Sequence, residues 1–159
     1  MDYILQLRQL IGHLPVVLVG AAILVVDENN RLLMMKRSDN DCWGIPGGSL
    51  EPGEVVEDAG KREALEETNL EIGETALFGV FSGPELYYKY PNGDEVYNIV
   101  IAYVARKWSR EIILNEEHTQ WNWFAANEIP DDVSPPIIPI IEQYKSSFQK
   151  QMYPRDHHS

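Results

Sequence analysis

The chain is poor in cysteine and in positive charge, and it has no long apolar run. Cys42 is the only cysteine among 159 residues, so no intrachain disulfide can brace the fold, and a reducing, cytoplasmic setting is expected. No histidine lies near Cys42 in the sequence to activate it, so this thiol reads as incidental. Lys and Arg number 13 against 25 Asp and Glu, a formal net charge of −12. That balance argues against a long nucleic acid as partner, because duplex binding depends on Lys and Arg neutralising phosphates. A small phosphorylated ligand stays compatible with it only if bound cations reverse the field locally. No apolar stretch reaches the roughly 18 residues that a membrane span needs, so no membrane partner is expected. The most apolar stretch, Val16 to Val26, has neither a basic leader nor a small-residue cleavage site and is closed by Asp27 and Glu28, so it reads as a buried strand. Internal repeats, linkers and low-complexity tracts are missing too, and the length suits one domain over 1–159.

What is present reads as a mixture of helices and strands. Ile4, Leu5, Leu7, Leu10 and Ile11 fall at helical spacing and stop before Gly12 and Pro15, which predicts a short helix within 1–14 that packs on the core. Val16 to Asp27 and Arg31 to Lys36 are expected to pair as an antiparallel hairpin around the turn Glu28 to Asn30. Ser38 to Asp41 is a polar loop, and Trp43-Gly44-Ile45-Pro46-Gly47-Gly48 reads as a short strand entering a tight turn whose backbone can approach a ligand closely. Val55 to Asn69, rich in Glu, Ala, Lys and Arg and free of proline, is the clearest helix, with Asn69 as a left-handed cap. Strands are expected over Thr75–Ser82, Leu86–Tyr90, Val96–Lys107 and Trp121–Phe124, with Pro91-Asn92-Gly93-Asp94 as a hairpin turn. A last helix runs from the proline-rich 134–139 segment to about Gln149, the end looks frayed, and His157 and His158 could belong to an expression tag. The order of elements suggests a mixed sheet with helices on both sides.

On the long helix, Glu63, Glu66 and Glu67 fall within an arc of about 100°, over little more than one turn. Like charges at this spacing destabilise a helix by about 0.2–0.5 kcal/mol per pair, so the cluster needs either full solvation or a compensating cation. Ala59 and Gly60, one turn earlier on the same face, would leave space for a ligand. A solvated acidic face with an Arg62–Glu66 pair would explain the same three residues without any function.

The wider pattern adds to that geometry. Gly48, Glu54, Arg62, Glu63, Ala64, Glu66, Glu67 and Leu70 resemble the Nudix box: glycine, five residues, glutamate, seven residues, Arg-Glu, an apolar residue, any residue, Glu-Glu, any residue, glycine, an apolar residue. Every fixed position of 48–70 matches except Asn69, which stands in place of the second glycine and is the residue next most tolerant of the left-handed conformation. The resemblance to this MutT-like hydrolase family implies an α/β/α sandwich with a mixed sheet. It also implies a pyrophosphohydrolase that cleaves a phosphoanhydride bond with Mg²⁺ or Mn²⁺. By the same resemblance Glu66 and Glu67 ligate the cation, Glu63 ligates it or acts as the base, Arg62 and Glu54 orient them, and the carbonyl of Gly47 or Gly48 is a further ligand. A carboxylate from a later loop is expected, with Glu117 or Glu116 as candidates; the alternative for both is an exposed acidic turn. His118 beside them is expected to be a lone surface histidine rather than a base. A non-catalytic nucleotide sensor, which some members become after losing box carboxylates, is the second reading, and this chain has lost none; members are often dimers, so a homodimer is also expected.

The substrate is less legible. A small nucleotide-like molecule follows from the resemblance: ADP-ribose-like, a dinucleoside polyphosphate or a nucleoside triphosphate. Tyr87, Tyr88, Tyr90 and Tyr97 lie on a predicted hairpin where alternation sends Tyr88 and Tyr90 to one face and Tyr87 to the other. There they either stack on a base or simply pack. Arg37, Tyr88, Tyr90 and Glu116 are the candidate substrate contacts. A tyrosine in the window of Tyr87 and Tyr88 resembles members acting on dinucleoside polyphosphates, whereas Pro84 only loosely resembles the proline of ADP-ribose-type members.

Overall fold

In the computed structural model, the chain runs α1 (Tyr3–Ile11), β1 (Val16–Val25), β2 (Leu32–Arg37), β3 (Trp43–Gly44), β4 (Gly47–Ser49), α2 (Val56–Thr68), β5 (Glu71–Ile72), β6 (Thr75–Phe81), β7 (Tyr87–Lys89), β8 (Glu95–Ala105), β9 (Trp108–Ser109), β10 (His118–Phe124) and α3 (Ile138–Met152). The structure describes residues 2–152, and side chains from 2 to 148; the frayed end and His157 and His158 lie outside the described residues. The main sheet is mixed, in the order β4-β1-β8-β6 with β7 also on β8. β1 and β8 run parallel in unbroken register from Val16 opposite Val96 to Val25 opposite Ala105. A second sheet has the order β10-β2-β3, and β5 pairs with β9.

The expected hairpin of β1 and β2 does not form as a ladder. Its turn is present, with the Asp27 amide donating to Arg31 O at 2.9 Å, but the strands share only an isolated bridge between Val26 and Leu32. Each strand has two hydrogen-bonding edges. Those of β1 are taken by β8 and β4, and those of β2 by β10 and β3, so the chain crosses from one sheet into the other at this turn. Alternation explains why such apolar strands suit this arrangement. Leu24, Val26, Leu32 and Met34 join a core with Ile140 and Ile141 of α3. Ile23, Val25, Leu33 and Met35 join a second core with Ala64 of α2 and with Leu70. The expected α/β/α layering follows, with α2 and α3 covering different cores.

α1 lies on the outside of the domain, with Ile4, Leu7 and Ile11 half-buried. None of its residues is fully buried, and Leu5 and Leu10 are exposed. Arg8 holds the helix to the surface, donating to Gly12 O, Leu14 O and Glu95 O. Among the described residues no helix is long and apolar enough to cross a membrane.

Candidate active site

α2 carries the site and is positioned by its small residues. Ala59, Gly60 and Ala64 are buried, and a Cβ on Gly60 would lie 2.8 Å from Ile23 Cδ1. Ala59 and Gly60 therefore let α2 lie close on β1; they do not leave ligand space, as the sequence alone suggested. The helix ends on Asn69 in the left-handed conformation, φ 64°. Its amide donates to Leu65 O, and its side-chain Nδ2 donates to Glu111 O at 3.0 Å. The substitution of Asn for glycine thus keeps the cap and adds a tie to the loop before β10.

Arg62 gathers the carboxylates. Its Nε and Nη2 donate to the two oxygens of Glu54 at 2.7 and 3.0 Å. Nη1 reaches Glu63 at 2.9 Å and Glu66 at 3.4 Å, and Nη2 also meets Ser49 O. The hydrogen bond from Arg62 holds the Glu54 carboxyl below its usual pKa, and Glu54 in turn raises that of Arg62. Across from the helix, β4 lies so near that a Cβ on Gly48 would overlap the Glu63 carboxyl group, and one on Gly47 would sit 2.5 Å from Ala21 O. Only glycine permits this approach.

The three box glutamates differ in setting. Glu66 is open to solvent, Glu63 is half-buried and Glu67 is buried. Burial pushes the Glu67 carboxyl up to about 9, with the charges of Glu63 and Glu117 adding to it, against a stabilising hydrogen bond from the Gly47 amide. Burial also raises Glu63, opposed by Arg62. The protein alone thus leaves a buried carboxylate crowded by others, which is the condition that a cation relieves. Among the described residues no three acidic, His or Cys side chains form a closed cation cage, and Arg62 Nη1 lies against both Glu63 and Glu66. The oxygen-only donor set and the side-chain-free backbone at Gly48 nevertheless fit a hard divalent cation better than a soft one.

The loop before β10 is laced to the end of α2. Ile113 and Asn115 amides donate to Thr68 O and Glu67 O, and the Ser38 amide to Glu117 O. This brings Glu117 close enough to raise Glu67. Glu116 is exposed and offers its backbone carbonyl to Ser38 Oγ at 3.2 Å. His118 corrects the expectation of a surface residue: its side chain is 3 % exposed, with Nε2 3.9 Å from Glu67 Oε2. No local sequence cue marks it, because its position is set by the pairing of β10 on β2 and by the loop bonds to the end of α2.

Beside this centre lies a small cleft lined by Arg37, Asp39, Asn40, Tyr88, Tyr90 and Ser134, with Pro136. Arg37 forks onto Asp39 at 2.9 and 2.8 Å, lines the cleft and sits opposite His118 in the β2–β10 ladder; the His118 ring lies beside Glu67, so Arg37 stands between cleft and carboxylates. Tyr88 and Tyr90 meet edge to face at 4.8 Å between centroids, while Tyr87 pairs with Tyr97, as the alternation predicts. Asp39, Asn40 and Ser134 were not foreseen; they arrive from loops that only the tertiary fold brings together.

The NUDIX domain model matches residues 17–144. The chain belongs to the NUDIX family. Among its Nudix relatives, a putative 8-oxo-dGTP diphosphatase of Bacillus subtilis is 41% identical over 42% of this chain and 44% of its own length. An ADP-ribose pyrophosphatase of Methanocaldococcus jannaschii is 31% identical over 67% of this chain and 61% of its own. The chain thus spans roughly half the length of these curated relatives. A solved MutT NUDIX hydrolase from Burkholderia pseudomallei superposes with a TM-score of 0.69 at 28% identity, covering 80% of this chain and 98% of that one. The Nudix box at 48–70 therefore sits on the Nudix fold, with its helix being α2.

Proposed function

We propose that this Nudix protein is a divalent-metal-dependent pyrophosphohydrolase that cleaves the phosphoanhydride bond of a nucleoside diphosphate linked to a further moiety. The observation that carries the reading is the convergence on Glu67, buried and raised to about 9, of Glu63 from its own helix and Glu117 from the β10 loop. Glu63, Glu66, Glu67 and Glu117, with the Gly48 carbonyl, are the groups that would hold Mg²⁺ or Mn²⁺. When bound, the cation supplies neutralisation of the diphosphate and acidification of water. Arg62 fixes Glu63 and Glu66 relative to Glu54, so that little reorganisation is needed as charge develops. Glu63, near Glu67 and half-buried, would either ligate the cation or, in place of that, take the proton of the attacking water. Arg37, Tyr88 and Tyr90 would receive the nucleoside end in the adjoining cleft; Glu116, outside that lining, would touch the substrate only if the latter extends toward Ser38. ADP-ribose-like molecules, dinucleoside polyphosphates and nucleoside triphosphates are the substrates in view, and relatives named for 8-oxo-dGTP and ADP-ribose support that range.

The test is hydrolysis of nucleoside triphosphates, ADP-ribose, nucleotide sugars and dinucleoside polyphosphates with Mg²⁺ or Mn²⁺, beside the double variant Glu66→Gln, Glu67→Gln. One preferred substrate is expected, with turnover down about a hundredfold or more in the variant. Equal turnover in the variant would remove the site assignment, and silence across the panel would favour a binding protein.

A further inference from the structure

His118 is not used by the reading above, yet it is built into the site. Its Nδ1 is buried and has no hydrogen-bond partner among the described residues, and its Nε2 faces Glu67 Oε2 at 3.9 Å. A buried polar atom without a partner carries a desolvation cost that an apolar side chain of the same shape would avoid, so packing alone does not account for an imidazole here. The backbone points the same way. The register of β10 on β2 shifts between His118 and Gln120, and His118 is buried while Glu117, Thr119 and Gln120 are exposed. A bulge of this kind re-aims a side chain that regular alternation would send elsewhere. The loop bonds from Asn115 to Glu67 O and from Ser38 to Glu117 O then fix the start of the strand against α2.

We infer that His118 is a positioning residue, a neutral imidazole protonated at Nε2 that donates to the Glu67 carboxylate and holds it in the orientation that binds the divalent cation; this rests on the metal-dependent reading above. The other tautomer would turn a lone pair toward the carboxylate and bury an unpaired N–H at Nδ1, the rarer of the two defects. At 3.9 Å the pair is longer than a hydrogen bond, and a shift of Glu67 Oε2 by about 1 Å closes it.

The experiment measures Mn²⁺ affinity by electron paramagnetic resonance of free Mn²⁺ at one pH, with the thermal midpoint in chelator as a check on folding. The variants are His118→Phe, which keeps the ring shape; His118→Gln, whose amide nitrogen reaches the Nε2 position; His118→Asn, which reaches only the Nδ1 position; and Glu67→Gln. Partners that orient a ligand are worth about 10–100-fold in metal affinity. His118→Phe is expected to weaken binding by about tenfold or more, with His118→Gln restoring most of it and His118→Asn restoring little. Wild-type affinity in folded His118→Phe overturns the proposal, as does equal affinity of the Gln and Asn variants, which remains decisive if the Phe variant does not fold. Glu67→Gln separates the two levels. If it binds Mn²⁺ as the wild type does, the metal reading fails and this proposal with it; if it loses Mn²⁺ while His118→Phe does not, this proposal alone fails.

Discussion

At the scale of single residues, the site depends on two extremes of side-chain size: none at Gly48 and a buried carboxyl at Glu67. A methyl group on Gly48 would overlap the Glu63 carboxyl, so Gly48→Ala must move either β4 or Glu63. Turnover of the preferred substrate is expected to fall by about 10²-fold, the scale of a misplacement near 1 Å, while the chain still folds; steady-state kinetics beside circular dichroism checks both halves. Glu67 gives a pH dependence. In metal-free folded protein its carboxyl stays protonated up to about 9, against 4.5 as the ordinary value. The folded state then binds more protons than the unfolded one between those values, so the stability that Glu67 contributes is full at the acid end and is lost as pH rises toward about 9. In chelator, the thermal midpoint should decline across that range, and Glu67→Gln should decline less. A wild-type profile as flat as that of the variant would show that Glu67 is not the titrating group.

At the scale of elements, α2 works as a ruler held at both ends. Its body is pressed on β1 through Ala59, Gly60 and Ala64, and its last turn is fastened by Asn69 to Glu111 and by Thr68 O and Glu67 O to Ile113 and Asn115. Asn69 combines a left-handed cap with a side-chain tie. Asn69→Gly should keep the cap and lose the tie, for a change in stability within about 1 kcal/mol; Asn69→Val, β-branched in a left-handed position, should cost more than that. Urea denaturation measures the difference, and a valine variant as stable as the glycine one would contradict the role given to the backbone conformation.

At the scale of the whole molecule, a chain with a net charge of −12 buries one carboxylate, Glu67, where two sheets and the end of a helix meet. Cation binding to the folded state alone must then raise global stability, by about 2.7 kcal/mol at a hundredfold excess over Kd. A rise in thermal midpoint with Mg²⁺ or Mn²⁺, absent in Glu66→Gln, Glu67→Gln, is the expected outcome of calorimetry. Equal shifts in both proteins would assign the effect to diffuse screening of the acidic surface.

The sequence by itself determined the elements and the motif: the α2 boundaries, the Asn69 cap, the tyrosine alternation and the Gly48-to-Leu70 spacing all depend on neighbours within a turn or a strand, where local sterics and period decide. Only the tertiary structure decided that β1 and β2 part into different sheets, because edge occupancy depends on β8, β4, β10 and β3, which come later in the chain. It also decided that Ala59 and Gly60 serve packing and that α1 stays on the surface. The same holds for His118: whether a histidine after an acidic turn faces water or Glu67 is set by a bulge and by loop hydrogen bonds between residues far apart in the chain, such as Asn115 with Glu67 and Ser38 with Glu117, and long-range pairing of that kind leaves no trace in local periodicity.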